Sequence, residues 1–157
     1  MNESPGASAA RTDRRRVLVV QRRLTHYRVP FFEGVRARLA RGNIDFTLAV
    51  GDPTPAEREK RDEGRIDWAV HAPCTYALDG RVCLQPIGDL VKQHDFVVVT
   101  QENKMLHNIP LLLGRQRCRV GLWGHGRNFQ AAGARTAGIA QSLKAALSRR
   151  ADFSTRT

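Results

Sequence analysis

The 157-residue chain carries 26 Lys and Arg against 15 Asp and Glu, a formal net charge of +11, and is 41% hydrophobic and 26% charged. That length supports one domain with a proper core, burying about 70% of its unfolded surface, and leaves no room for a second full domain. The proportions exclude wholesale disorder and fibrous folds, and no apolar run reaches the roughly 20 residues needed to cross a bilayer.

Residues 1–16 (MNESPGASAARTDRRR) are small, polar and charged, with nothing to bury and no apolar centre of a signal peptide. They read as a disordered basic lead-in, and residues 17–152 as a single domain. The first strand is expected at Val17 to Val20. Phe32, Val35 and Leu39 then share one face at helical spacing, with Pro30 suiting the first turn and Gly42 the stop. A second strand is expected at Ile44 to Val50. "GDPTPAEREKRDEG" begins as a turn and continues as a short, charged, exposed helix capped by Thr54. After a third strand at Trp68 to His71, "TYALDGRVCL" reads as a hairpin around Asp79-Gly80, a pair suited to a type I′ turn.

Ile87, Leu90 and Val91 make a short helical face before the strong strand Phe96 to Thr100. In "NKMLHNIPLLLG", Met105, Leu106, Ile109, Leu112 and Leu113 keep helical spacing, and Pro110 fits if Asn108 caps a new helix. A strand at Val120 to Trp123 follows, and a final helix from Gly138 to Ala151 buries Ile139, Leu143 and Leu147. Strands alternating with helices predict an α/β fold, Rossmann-like and doubly wound, whose mostly parallel sheet carries helices on both faces.

Such sheets bind ligands beyond the carboxyl ends of their strands, so the polar clusters at strand ends are the candidate site. Three qualify: QRRLTHYR after the first strand, with Arg22, Arg23, His26 and Tyr27; QEN, with Glu102 and Asn103; and GHGRN, with Gly124, His125, Gly126, Arg127 and Asn128. Glycines flanking His125 let backbone approach a ligand, and imidazole donates, accepts or titrates near neutrality. Glu102 can accept from a hydroxyl or pair with an arginine.

His71, His94 and His107 fall in no such cluster, and without HxxxH or HExxH spacing no metal is expected. Cys74, Cys83 and Cys118 show no CxxC spacing, which argues against a disulfide framework or structural zinc. Cys74 and Cys83 flank the hairpin and can come close, yet small buried thiols is the favoured reading. The absence of GxGxxG after a strand, of GxxxxGK[ST] and of GxSxG removes the main support for dinucleotide oxidoreductase, P-loop NTPase and α/β-hydrolase readings.

"VLVVQRRLTHYRVPFFEGVRARLA", "TQENKMLHNIPLLL" and "VGLWGHGRNFQ", in that order, resemble the N-terminal half of bacterial retaining, family-four-type glycosyltransferases of the B-type two-Rossmann architecture. The resemblance spans roughly Arg16 to Asp152. It implies that this half binds a saccharide or lipid-linked acceptor, while a second domain grips a nucleotide-sugar donor, a co-substrate rather than a cofactor. By the resemblance, His125 stands beside the transferred sugar as the catalytic candidate. Arg22 to Tyr27 would border the diphosphate and acceptor, and Glu102 and Asn103 would line the acceptor side. Gly124, Gly126, Arg127 and Asn128 would complete the substrate contacts.

The family's frequent Gly-Gly pair is replaced here by Arg22 and Arg23, whose guanidiniums can form charge-assisted bonds instead. Relatives continue after a stretch like "SRRAD" into a strand, a linker and a donor domain. Residues 153–157 are accordingly expected to be a tail, with the donor-binding domain a missing partner: the chain is a fragment, a truncated reading frame or a subunit. The expected setting is cytoplasmic, with the basic surface held near anionic lipid at the inner membrane face. The rival expectation is a non-catalytic Rossmann-like module binding an anionic ligand such as nucleic acid, which an aromatic share of 6% disfavours.

Overall fold

The computed structural model of the chain describes residues 14–102, 104–114 and 117–124, and the backbone of 153–156. The helix expected from Gly138 to Ala151 lies outside these residues, as does most of the N-terminal lead-in.

Strand β1 (Arg15–Gln21) leads through a 3-10 turn (His26–Arg28) into α1 (Val29–Arg41), β2 (Ile44–Val50), α2 (Pro55–Arg58) and β3 (Val70–His71). A hairpin of β4 (Thr75–Ala77) and β5 (Val82–Leu84) follows, then α3 (Gly88–Lys92), β6 (Phe96–Thr100), α4 (Asn108–Leu113), β7 (Arg119–Gly124) and β8 (Phe153–Arg156). Among the described residues the main sheet has six strands in the order β3-β2-β1-β6-β7-β8, and every neighbouring pair is parallel. The chain steps outward from β1 to β3, crosses back to β6, and steps outward the other way. Its direction therefore reverses between β1 and β6, the place where open parallel sheets form a crevice.

Period-two alternation divides the apolar strands between two cores. Leu18, Val20, Val97, Val99, Val120 and Leu122 pack with Val91 of α3 and with Leu111 and Leu112 of α4. Val19 and Leu48 pack on the opposite face with Phe32 of α1 and Ile66, joined by the partly buried Val98 and Trp123. Both faces of the sheet are covered, which is why these strands read as continuous apolar runs. Phe32 is 1% exposed, a burial worth about 1.5–3 kcal/mol. The fold is α/β and Rossmann-like, as the alternating pattern predicts.

Boundaries differ where local chemistry outweighs hydrophobic pattern. Strand β1 starts at Arg15, because Arg15 and Arg16 register with Ile44 and Asp45 of β2. Trp68 falls short of β3, in a turn closed by Ala69 N–H donating to the Ile66 carbonyl at 3.1 Å. Its indole N–H donates to Glu33 at 2.9 Å, and its ring lies beneath Arg36, 4.4 Å from the guanidinium.

Helix α1 does stop at Gly42, but Asn43 takes the left-handed conformation, with φ 57°. The cap position of α4 belongs to His107, and Asn108 is the first helical residue, its side chain donating to the Thr100 carbonyl at 2.9 Å. The hairpin turn has φ 52° at Asp79 and 78° at Gly80, the positive values a type I′ turn needs. The backbone of the FSTR segment pairs with β7, from Gly121↔Phe153 to Gly124↔Arg156. No helix among the described residues is long and apolar enough to cross a membrane.

Candidate functional site

The carboxyl ends of β2, β1, β6 and β7 lie side by side and form one rim. At its centre, beyond the β1/β6 reversal, Arg22 Nε stands 3.5 Å from Glu102 Oε2. The polar corners after β1 and β6 are thus joined by a direct ion contact. On the next strand, Gly124 ends β7 against Gln101: a Cβ on Gly124 would come within 2.7 Å of the Gln101 Cβ, so glycine permits the close approach of the two strand ends. The Gln101 N–H donates to the Trp123 carbonyl at 2.8 Å, carrying the ladder one residue further. Asn103, His125, Gly126, Arg127 and Asn128 lie outside the described residues.

Arg22 and Arg23 are both held by carboxylates. Arg22, 7% exposed, makes a two-pronged pair with Glu57 at 2.6 Å on each arm, and Nη1 also donates to the Tyr76 hydroxyl at 3.0 Å. Arg23 grips Asp62 at 2.8 and 3.2 Å. Burial by itself lowers an arginine pKa. Here the hydrogen bonds to Glu57 and Tyr76 outweigh it and raise that of Arg22. The same bond to Arg22 holds the Glu57 carboxyl far below the ordinary range. Asp62 is held low by its bond to Arg23. Burial pushes the Tyr76 hydroxyl up to about 12.

These pairs fix the segment after β2 onto the end of β1. Thr54 caps α2 with a full capping box: its hydroxyl accepts from Glu57 N–H at 3.3 Å, and the Glu57 carboxylate accepts from Thr54 N–H at 2.9 Å. Further on, His26 N–H donates to the Asp62 carbonyl at 2.9 Å and Gly64 N–H to the Leu24 carbonyl at 3.0 Å. Helix α2 is exposed as expected at Pro55, Ala56 and Arg58, with Glu57 the exception. Glu57 is half-buried because a buried guanidinium at the strand end requires an opposite charge. In the sequence, EREKRDEG mixes Glu57, Glu59, Asp62 and Glu63 with Arg58, Lys60 and Arg61, so nothing in it marks Glu57 and Asp62 as the partners of Arg22 and Arg23.

His26 and Tyr27 are exposed on the same corner. The His26 Nδ1 lies 3.2 Å from the Asp62 carbonyl, and the Tyr27 ring meets it edge-on with centroids 5.9 Å apart. Arg28, read as part of the QRRLTHYR corner, joins them, and sequence reasoning missed two neighbours, Gln85 and His71. Arg28 donates to Gln21 Oε1 at 2.8 Å and lies 5.7 Å from the Trp123 ring, linking the β1 and β7 ends. Gln85, fully buried, donates to the Gln21 and Ala72 carbonyls at 3.3 and 3.0 Å. His71, unassigned in the sequence, meets Asp52 at 2.9 Å.

The rim therefore presents a partly exposed carboxylate, Glu102, whose Oε2 lies 3.5 Å from the buried Arg22 and 3.3 Å from Lys104, beside exposed aromatic and imidazole groups. That arrangement suits acceptance of hydrogen bonds from hydroxyls. Among the described residues no group of three or more His, Cys, Asp or Glu side chains could hold a metal ion. Comparison of the chain with protein-family models, curated proteins and solved structures finds no match.

Proposed function

We propose that the chain is the acceptor-binding half of a retaining glycosyltransferase, taking a saccharide or lipid-linked acceptor at the rim between β1, β6 and β7. The observation that carries the reading is the Arg22–Glu102 contact at the β1/β6 reversal, 3.5 Å across. It brings the two corners of the family resemblance together where parallel sheets bind ligands. Glu102 accepts from acceptor hydroxyls, and Arg22 stands against that carboxylate at the strand end.

The donor is a nucleotide sugar gripped by a separate domain. Transfer proceeds on the front face: the acceptor oxygen bonds the anomeric carbon as the diphosphate leaves, and the departing oxygen takes the acceptor's proton. No protein nucleophile is needed, and His125 is assigned the place beside the transferred sugar. The anionic-ligand module loses support because Arg22 and Arg23 are already matched by carboxylates.

Acceptor binding by the purified chain tests the reading. Detergent-solubilised lipid-linked saccharides should bind with little dependence on salt, and Glu102→Gln should weaken them about tenfold, the loss of one charge-assisted bond. Affinity for oligonucleotides that falls steeply with salt, with no saccharide binding, would contradict it.

A further inference from the structure

Two of the three cysteines share one face of the hairpin beside the rim, in a place the site does not use. The hairpin is antiparallel, with Tyr76 opposite Cys83 and Thr75 opposite Leu84. Residues directly opposite project to the same face, and residues two apart along a strand share it. Cys74, Tyr76 and Cys83 therefore lie on one side of the ribbon, the side turned to the end of β1. Tyr76 bonds Arg22 at 3.0 Å, and the Cys74 thiol is 3.6 Å from the Arg22 carbonyl. Leu84 on the opposite side is 49% exposed, whereas Cys83 is fully buried. Cys74 is thus the diagonal neighbour of Cys83 across the ribbon, within side-chain reach on the shared face, and all three cysteines are in the thiol form.

The backbone of each cysteine is anchored to a different part of the crevice wall. The Cys74 N–H donates to Asp52 Oδ2 at 3.1 Å, just beyond β2. Cys83 exchanges backbone bonds with the segment beyond β6, donating to the Lys104 carbonyl at 2.7 Å and accepting from Leu106 N–H at 3.0 Å. A covalent link between the two sulfurs would tie the β2 side of the rim to the β6 side, across the reversal between β1 and β6.

We propose that Cys74 and Cys83 form a reversible dithiol–disulfide site that straps the hairpin across the crevice. The oxidant is a small-molecule disulfide such as oxidised glutathione. The half-buried Cys74 thiolate attacks one of its sulfurs, forming a mixed disulfide and releasing one glutathione thiolate. The Cys83 thiolate then attacks the Cys74 sulfur, closes the Cys74–Cys83 bond and releases the second. Two electrons pass to glutathione and two protons leave the cysteines.

Burial and the adjoining Cys74 push the Cys83 thiol up to about 12, which makes Cys74 the entry point and Cys83 the slower, resolving partner. Cys118 precedes β7 at the amino edge of the sheet, a strand length of about 20 Å from the rim, and is out of reach. This inference is independent of the glycosyl-transfer reading.

The test treats the reduced, native full chain with oxidised glutathione, blocks residual thiols with a maleimide, and maps tryptic peptides by mass spectrometry. Arg81 separates the two cysteines, so a bridge appears as two linked peptides. The expected result is a Cys74–Cys83 link with Cys118 alkylated, reversed by dithiothreitol. In Cys83→Ser the reaction should stop at glutathionylated Cys74. Retention of all three thiols in the wild-type chain, arrest at the mixed disulfide, or a bridge that includes Cys118 would overturn the assignment.

Discussion

Arg22 shows how much of a binding edge is first a structural device. Its guanidinium is buried, shared between Glu57 and Tyr76, and in contact with Glu102, so removing it strands a half-buried carboxylate. Arg22→Ala should cost about 3 kcal/mol in urea unfolding, and combining it with Glu57→Ala should add much less than the sum of the two. The pair also sets a response to acid. The native Glu57 pKa is depressed, so its contribution is present above the ordinary glutamate value near 4.3 and is lost as pH falls through the lower native value. Glu57→Gln should flatten that part of the stability curve.

His107 acts in a different window. Buried with neither ring nitrogen hydrogen-bonded, it is pushed down to about 4 by desolvation. Between the unfolded value near 6.5 and that native value the unfolded chain binds the extra proton, so stability falls with pH, by up to about 3 kcal/mol. His107→Leu should remove this component, seen as a smaller change in the urea midpoint between pH 7 and pH 4.

At the scale of elements, the capping box of α2 has a consequence larger than its four residues suggest. Thr54 orients Glu57, and Glu57 fixes Arg22 at the rim. Thr54→Ala should cost about 1 kcal/mol and increase proteolytic cleavage in the 51–66 segment relative to the rest of the chain. Local chemistry of this kind was legible in the sequence: Thr54 as cap, Pro30 in the first turn of α1 and Asp79-Gly80 in the hairpin all stand as their residue types require. Strands β2 and β6 match their apolar runs residue for residue. Trp68 was misassigned because an aromatic residue in an apolar run packs equally well on a helix, here α1. The cap of α4 was misassigned because the Asn108 side chain is drawn to a strand carbonyl rather than to its own helix.

For the whole molecule, strand order is what the sequence could not state. Alternation of strands and helices implies a parallel sheet, but only the crossover from β3 back to β6 decides that QRRLTHYR and QEN become neighbours. The carboxylates that occupy Arg22 and Arg23 were hidden for the same reason, since Glu57 and Asp62 lie 35 and 39 residues away in the chain. The central claim is that this rim is a saccharide-acceptor site. Amide chemical-shift mapping of the ¹⁵N-labelled chain during titration with lipid-linked saccharide in detergent, against detergent alone, tests it most directly. The account predicts shifts concentrated at Gln21 to Arg28, Gln101, Glu102, Trp123 and Gly124. Shifts confined to the amino edge of the sheet around Arg16, Asp95 and Arg119, or none at saturating ligand, would contradict it.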